Sequence, residues 1–224
     1  MHLFTSTVGR KILMAISGQL MVLFVVVHLL GNSSIFIGPN GINAYAEHLH
    51  SLGPLVWVFR AIMLGLVATH ILFGSILSIE NSQATPRAYS VKKYDRSTLG
   101  SRTMIWTGLL LLAFITYHIL HFTARIMPDT VGTAAILDAE KRFDVYNMVT
   151  TSFKAGAAPF IYMFAMLMLF LHLSHGIQSF FQTMGWNTEN TLPKISALGK
   201  LVAVVLLIGY ASIPFVILSG ILFN

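Results

Sequence analysis

The chain has 224 residues, 55% of them hydrophobic and 10% charged, with a mean hydropathy of +0.75. No single soluble core hides that much apolar surface, so the composition excludes a soluble globular domain and places the chain in a bilayer. Cysteine is absent, which excludes thiolate-bound iron–sulfur clusters, CxxCH-attached haem, disulfides and cysteine nucleophiles within this chain.

Taken in chain order, five stretches are long enough to cross about 30 Å of hydrocarbon at roughly 1.5 Å per residue. They are Leu13–Phe36, Pro54–Ile79, Thr103–Ile126, Ala157–Phe181 and Leu198–Leu222. The reading is an all-α fold, one integral membrane bundle of five transmembrane helices occupying residues 1–224 as a single domain. The first span exceeds a secretory h-region, and no small-residue cleavage site follows before Gly31-Asn32-Ser33-Ser34, so it is expected to remain in the mature protein.

Basic residues are distributed unevenly about these spans. Arg10, Lys11, Arg87, Lys92, Lys93, Arg96, Arg102, Lys194 and Lys200 fall on one side; Arg60, Arg125, Lys141, Arg142 and Lys154 fall on the other. The positive-inside rule then predicts a cytoplasmic N-terminus and an external C-terminus. The net charge of +6 needs no nucleic-acid partner, because a basic cytoplasmic face meeting anionic lipid or a soluble subunit accounts for it. The polar loop from Asn81 to Arg102 is the expected docking surface. The longest connection, Met127 to Gly156, contains Asp138-Ala-Glu-Lys-Arg-Phe-Asp144, read as a short amphipathic surface helix. No glycine-rich nucleotide loop, no Ser/His/Asp arrangement and no internal repeat is found.

Four of the spans carry histidine deep inside: His28, His70, His118 and His172, with His121 and His175 close to the last two. An intramembrane imidazole is expensive unless paired or bound, so it is a functional candidate. His28 and His118 lie about 16–17 residues from the basic end of their helices, towards the outer face. His70 lies about ten residues before Glu80, and His172 and His175 about thirteen and ten before Gly185, towards the cytoplasmic face. Two levels with two helices each are what bis-histidine ligation of two stacked b-type haems requires. Structural packing or proton relay are the competing readings. Spacing does not decide between His118 and His121, or between His172 and His175, since each pair is separated by about one turn. Gly31, Gly65, Gly74 and Gly176 are small residues near these sites, with helix packing as their simplest role.

The five-helix pattern, SGQLMVLFVVVHLLGN, NAYAEHLHSLGP, YHILHF and HLSHGIQSFFQTMGW together resemble the single-anchor dihaem cytochrome b subunit of succinate:quinone oxidoreductases and quinol:fumarate reductases, respiratory complex II of the tricarboxylic acid cycle. The resemblance runs along essentially the whole chain. It implies two haem b groups, an anchor in the bacterial cytoplasmic membrane that is not itself catalytic for the dicarboxylate, and flavoprotein and iron–sulfur subunits on the cytoplasmic face. A dimer of such heterotrimers is the expected assembly. It selects His118 and His172, pairing His28 with His118 at the outer haem and His70 with His172 at the inner one. His121 and His175 are then alternate ligands or propionate partners.

Ser17, Gln19, Arg10, Lys11 and Arg102 are candidate propionate donors for the inner haem. Glu47, His48 and His50 stand beside the outer level, where the family's outer quinol site has an acidic residue; Glu47 is the expected proton acceptor. Menaquinone is the expected quinone, by resemblance. Two other classes fit the same residues: the cytochrome b subunit of a hydrogenase or formate dehydrogenase, and a haem-free transporter or proton channel.

Overall fold

The computed structural model describes residues 2–84, 97–128 and 136–223. The first helix, α1 (Thr7–Asn32), starts where the Ser6 hydroxyl accepts the Gly9 amide and so satisfies one of the open N–H groups of the first turn. That cap sets the start six residues ahead of the apolar run read from sequence. A 3₁₀ turn at Ser33–Ile37 leads to Gly38, whose φ of 101° turns the chain into α2 (Pro39–Ser51). Gly53, at φ 56°, makes a second reversal into α3 (Pro54–Gln83). Both turns use conformations that side chains resist.

Thr98 caps α4 (Leu99–His118) by accepting from the Ser101 amide, and α4 ends in a π-helical turn at Ile119–Thr123. The remaining helices are α5 (Val145–Lys154), α6 (Ala158–Met184) and α7 (Leu192–Leu218). Among the described residues, five of the seven helices are long and apolar enough to cross a membrane. Most of the basic loop, including Arg87, Lys92, Lys93 and Arg96, lies outside the described residues.

Helix α6 is the hub: it packs along α7 and α4 and also meets α1, whereas α3 packs on α1 and barely touches α4. Two helix pairs, α1/α3 and α4/α6, therefore face each other across a gap that is open between α3 and α4. One apolar cluster joins Leu29 to Leu173, Ile177, Ala203 and Leu206 across α1, α6 and α7. The other gathers Ile35, Ile42, Met148, Val149, Phe153, Tyr162, Ile213 and Ile217 at the α2 end. Large apolar residues such as Leu23, Leu30, Leu64, Leu109, Phe164, Leu201 and Ile208 remain on the outside, where acyl chains solvate them as well as a protein core would.

The segment around Asp138–Asp144 is not a helix. Asp138 accepts the backbone amides of Glu140 and Arg142, and Leu137 bridges Phe143 antiparallel, so the chain closes a tight turn with Lys141 at φ 62°. A side chain that captures its own backbone N–H groups competes directly with helix formation. The helix comes next, as α5, where Met148, Val149, Ser152 and Phe153 bury one face. Asn43, fully buried, fastens the turn to α2. Its Nδ2 donates to Asp138 at 3.0 Å and Asp144 at 3.1 Å, while its Oδ1 accepts the Tyr146 amide at 2.9 Å. Burial works to raise the Asp138 carboxyl, but the bonds from Arg142 and Asn43 prevail and hold it below the usual carboxylate range.

Candidate haem and quinone site

The four deep histidines meet as two pairs across the gap. The rings of His28 (α1) and His118 (α4) have centroids 6.0 Å apart, and those of His70 (α3) and His172 (α6) are 6.2 Å apart. A metal axially bound by two imidazoles at about 2 Å each sets ring centroids roughly 6–6.5 Å apart. The pairs stand at that spacing with their planes at 82° and 67°. Rotation about the N–metal–N axis leaves such angles unconstrained.

Hydrogen bonds orient the rings. The Nδ1–H of His70 donates to the Met14 carbonyl at 2.9 Å. Thr107 Oγ1 gives its own proton to the α4 backbone, so it accepts from His172 Nδ1–H at 3.1 Å. His118 Nδ1 lies 3.2 Å from the Tyr162 hydroxyl, which also lies 3.0 Å from His121 Nδ1. In His70 and His172 Nδ1 carries the proton and Nε2 the lone pair, the tautomer an axial ligand needs; His118 has that tautomer when its Nδ1–H donates to the Tyr162 oxygen. His28 differs: the Asn32 amide lies 3.3 Å from both ring nitrogens while donating to the His28 carbonyl at 2.7 Å. Phe24 stacks against His28 from within the same helix, and Tyr210 flanks it.

The spacing between levels can be read on two helices independently. A Cβ on Gly18 of α1 would meet His70 Cε1 at 2.9 Å, and one on Gly108 of α4 would meet His172 Cε1 at 3.4 Å. Gly18 precedes His28, and Gly108 precedes His118, by about ten residues, so both helices place the levels about 15 Å apart. Sequence reasoning missed this pair of glycines. The signal was present as a repeated glycine-to-histidine spacing on the two helices that supply outer-level ligands. Of the glycines it did single out, Gly31 makes room for Tyr45, Gly74 faces Met14, and Gly65 and Gly176 face open space. Gly18→Val is expected to push the His70 imidazole off its Met14 bond and cost the inner-level haem, whereas Gly108→Ala is expected to keep it. Haem content and the reduced-minus-oxidised spectrum of each variant check this.

Among the described residues no three His, Cys, Asp or Glu side chains converge as a metal cluster. The histidines stand in facing pairs, the donor set of an axially ligated macrocycle. The paired rings, the oriented Nδ1 atoms and the glycines opposite His70 and His172 all fit two b-type haems.

The expected accessory residues are placed unequally. Arg10 is bound to the Glu80 carboxylate, and its Nε donates to the Phe4 carbonyl. Ser17 is buried, with its hydroxyl given to the Leu13 and Met14 carbonyls. Lys11 lines a cavity of about 320 Å³ with Val8, Ser179, Gln182 and Thr183. Gln19 is half-buried on α1, and Arg102 is exposed on the first turns of α4. His121 is fully buried beside Tyr162 and Phe122, and His175 sits where α6 crosses Gly100 of α4. Glu47 and His48 lie on the exposed face of α2, Glu47 within electrostatic reach of Arg142. His50 instead lines a cavity of about 650 Å³ with Gly53, Pro54, Val56, Trp57, Arg60, Thr123 and Arg125.

Residues 78–211, more than half of the chain, match the family of succinate dehydrogenase/fumarate reductase transmembrane subunits. The chain belongs to that family. No curated protein and no solved structure matches it. As a succinate dehydrogenase/fumarate reductase transmembrane subunit with five apolar helices, it is an integral membrane protein. The matched region contains His118, His121, His172, His175, Thr107 and Tyr162, and leaves His28, His70 and all of α2 outside it.

Proposed function

We propose that this transmembrane subunit is the dihaem cytochrome b anchor of its complex, linking an iron–sulfur subunit, and through it a flavoprotein, to membrane quinone. The observation that carries the proposal is the meeting of His28 with His118 and His70 with His172 at ring spacings suited to axial ligation. A b-type haem held in this way supplies one-electron redox chemistry at its iron. The chain's part is to fix the imidazole tautomers of His70 and His172 through Met14 and Thr107, to orient His118 through Tyr162, to exclude water with the apolar walls of α1, α4 and α6, and to keep the levels about 15 Å apart.

Orientation follows the basic residues: the Arg10–Glu80 end is assigned to the cytoplasm, and the end bearing α2 to the outside. Docking of the iron–sulfur subunit is assigned to the cytoplasmic end. Quinone chemistry is assigned to the outer end, with menaquinone as the expected quinone and α2 supplying the proton-exchanging group. Among Glu47, His48 and His50, His50 is the first candidate because it lines the cavity. Its Nδ1–H donates to the Ala46 carbonyl at 2.7 Å, which leaves Nε2 as a base.

The complex purified with its partner subunits is expected to contain two non-covalent haems per copy of this chain by pyridine haemochrome, and to show a low-spin b-type spectrum. One haem per chain would refute the dihaem reading. A colourless protein would leave the transporter or proton-channel class, and co-purification with a hydrogenase or formate dehydrogenase would move the haem chemistry to another complex.

A further inference from the structure

The cavity at the α2 end has a polar wall that the quinone reading does not use. Arg60 and Arg125 both line it, Thr123 adds a hydroxyl, and none of the described lining residues is acidic. Burial, and then the nearby Arg60 charge, lower Arg125 from the usual guanidinium range. Two like charges converging on one cavity, with no carboxylate among its described lining residues, suit an anion.

Each guanidinium lies over an aromatic ring. Arg60 lies over Trp57 with its Cζ 4.8 Å from the ring centroid, and Arg125 lies over Phe143 at 3.6 Å. The ring attracts the cation through its face while the guanidinium's N–H groups stay available to donate. Arg125 Nε is buried and has no hydrogen-bond partner among the described residues. The backbone holds Arg125 at φ 57°, a conformation uncommon for a residue with a side chain. A residue kept in that conformation, with a buried donor left open, is available to a partner beyond the described residues.

The level of the cavity identifies the anion. Phe59, next to Arg60, contacts Phe24, which stacks on His28. Pro54 and Trp57 lie within about two turns outward of that contact, level with the His28 ring or just beyond it. On α4, Thr123 and Arg125 follow His118 by about one and a half to two turns. The cavity wall therefore runs outward from about the level of the His28/His118 pair, on the α3/α4 side of the gap. A b-type haem held by these histidines would bring two carboxylates, the chemistry that paired guanidiniums recognise. Arg forks bind carboxylates in pairs of parallel hydrogen bonds.

We propose that Arg60 and Arg125 form a two-guanidinium clamp for the carboxylates of the outer haem. The proposal rests on the dihaem reading. It assigns outer-level counterparts to the donors expected at the inner level, and it leaves His50 free at the cavity rim for proton exchange.

The test uses the purified complex, with redox titration of both haems, haem content and bound phospholipid phosphorus measured on the same samples. Arg60→Gln changes an exposed side chain and is expected to retain two haems while lowering the midpoint potential of one. Loss of a nearby positive charge disfavours the more electron-rich reduced haem. The shifted haem is expected to be the one that His28→Ala removes. Arg125→Lys keeps the charge but loses the fork and the stack, and is expected to shift the same haem by less than Arg125→Gln. Two haems with unchanged potentials in Arg60→Gln overturn the clamp, as does a shift confined to the haem that His70→Ala removes. Loss of bound phospholipid phosphorus with both potentials unchanged assigns the site to a lipid phosphate and overturns it too. If Arg125→Gln fails to assemble, Arg60→Gln alone decides. A wild-type complex without haem refutes the underlying dihaem reading, an outcome distinct from any of these.

Discussion

Replacing His28, His70, His118 or His172 with alanine is expected to lower haem content from two to one per chain, each variant losing the haem of its own level and keeping the other. The levels are about 15 Å apart, and each ring faces one histidine of the opposite helix pair. His28→Ala and His118→Ala should therefore give the same residual spectrum, and His70→Ala and His172→Ala the other one. His121→Gln and His175→Ala are expected to keep both haems. His121 is fully buried and shares the Tyr162 hydroxyl, so it acts on His118 through Tyr162, and glutamine preserves a polar group there. Thr107→Val removes the acceptor for His172 Nδ1–H and is expected to weaken inner-haem retention by about 10–100-fold, the usual cost of losing a ligand's supporting bond. Pyridine haemochrome and low-temperature difference spectra of the six histidine variants check the set. Retention of both haems by His172→Ala, with loss of one in His175→Ala, would exchange the ligand assignment.

The second large effect concerns protons. Quinol releases two protons with its two electrons, and an apolar wall receives neither. His50→Gln is expected to lower quinol-linked turnover by about 10²-fold or more, the scale of a lost general base. Both haems should remain, and dye-linked succinate oxidation, which draws electrons from the soluble arm, should be unchanged. Glu47→Gln is expected to have a smaller effect than His50→Gln, because the Glu47 carboxylate lies on the exposed face of α2 near Arg142 and not on the cavity wall. Turnover by both variants with the same quinol, measured beside the dye assay, separates the two residues. Abolition by Glu47→Gln with normal turnover in His50→Gln would return the role to the carboxylate.

The amino-acid sequence by itself determined the class and the ladder of histidines. Apolar length and hydropathy specify five spans without any tertiary information, because in a bilayer each helix satisfies its own backbone and needs no partner to exist. The histidines' depths follow from a fixed rise per residue, so two levels were legible as well. Which rings face each other, and what holds them, was decided only by packing. Thr107 and Tyr162 lie on different helices from the histidines they orient in the cases of His172 and His118, and the Met14 carbonyl that orients His70 carries no sequence signature at all. Helix boundaries moved where local caps such as Ser6 and Thr98 extended the helix beyond the hydropathy run. The turn at Asp138 replaced an expected helix because its carboxylate captures backbone amides and is in turn bound by Asn43, about a hundred residues away in the chain. Distance in sequence also separates the components of the α2-end cavity: His50 and Arg60 meet Arg125 only when α3 and the end of α4 stand side by side. Periodicity and depth are properties of one helix and can be read from it. Pairing, ring orientation and shared charge are properties of the bundle, and they appear only when helices from distant parts of the chain are brought into register.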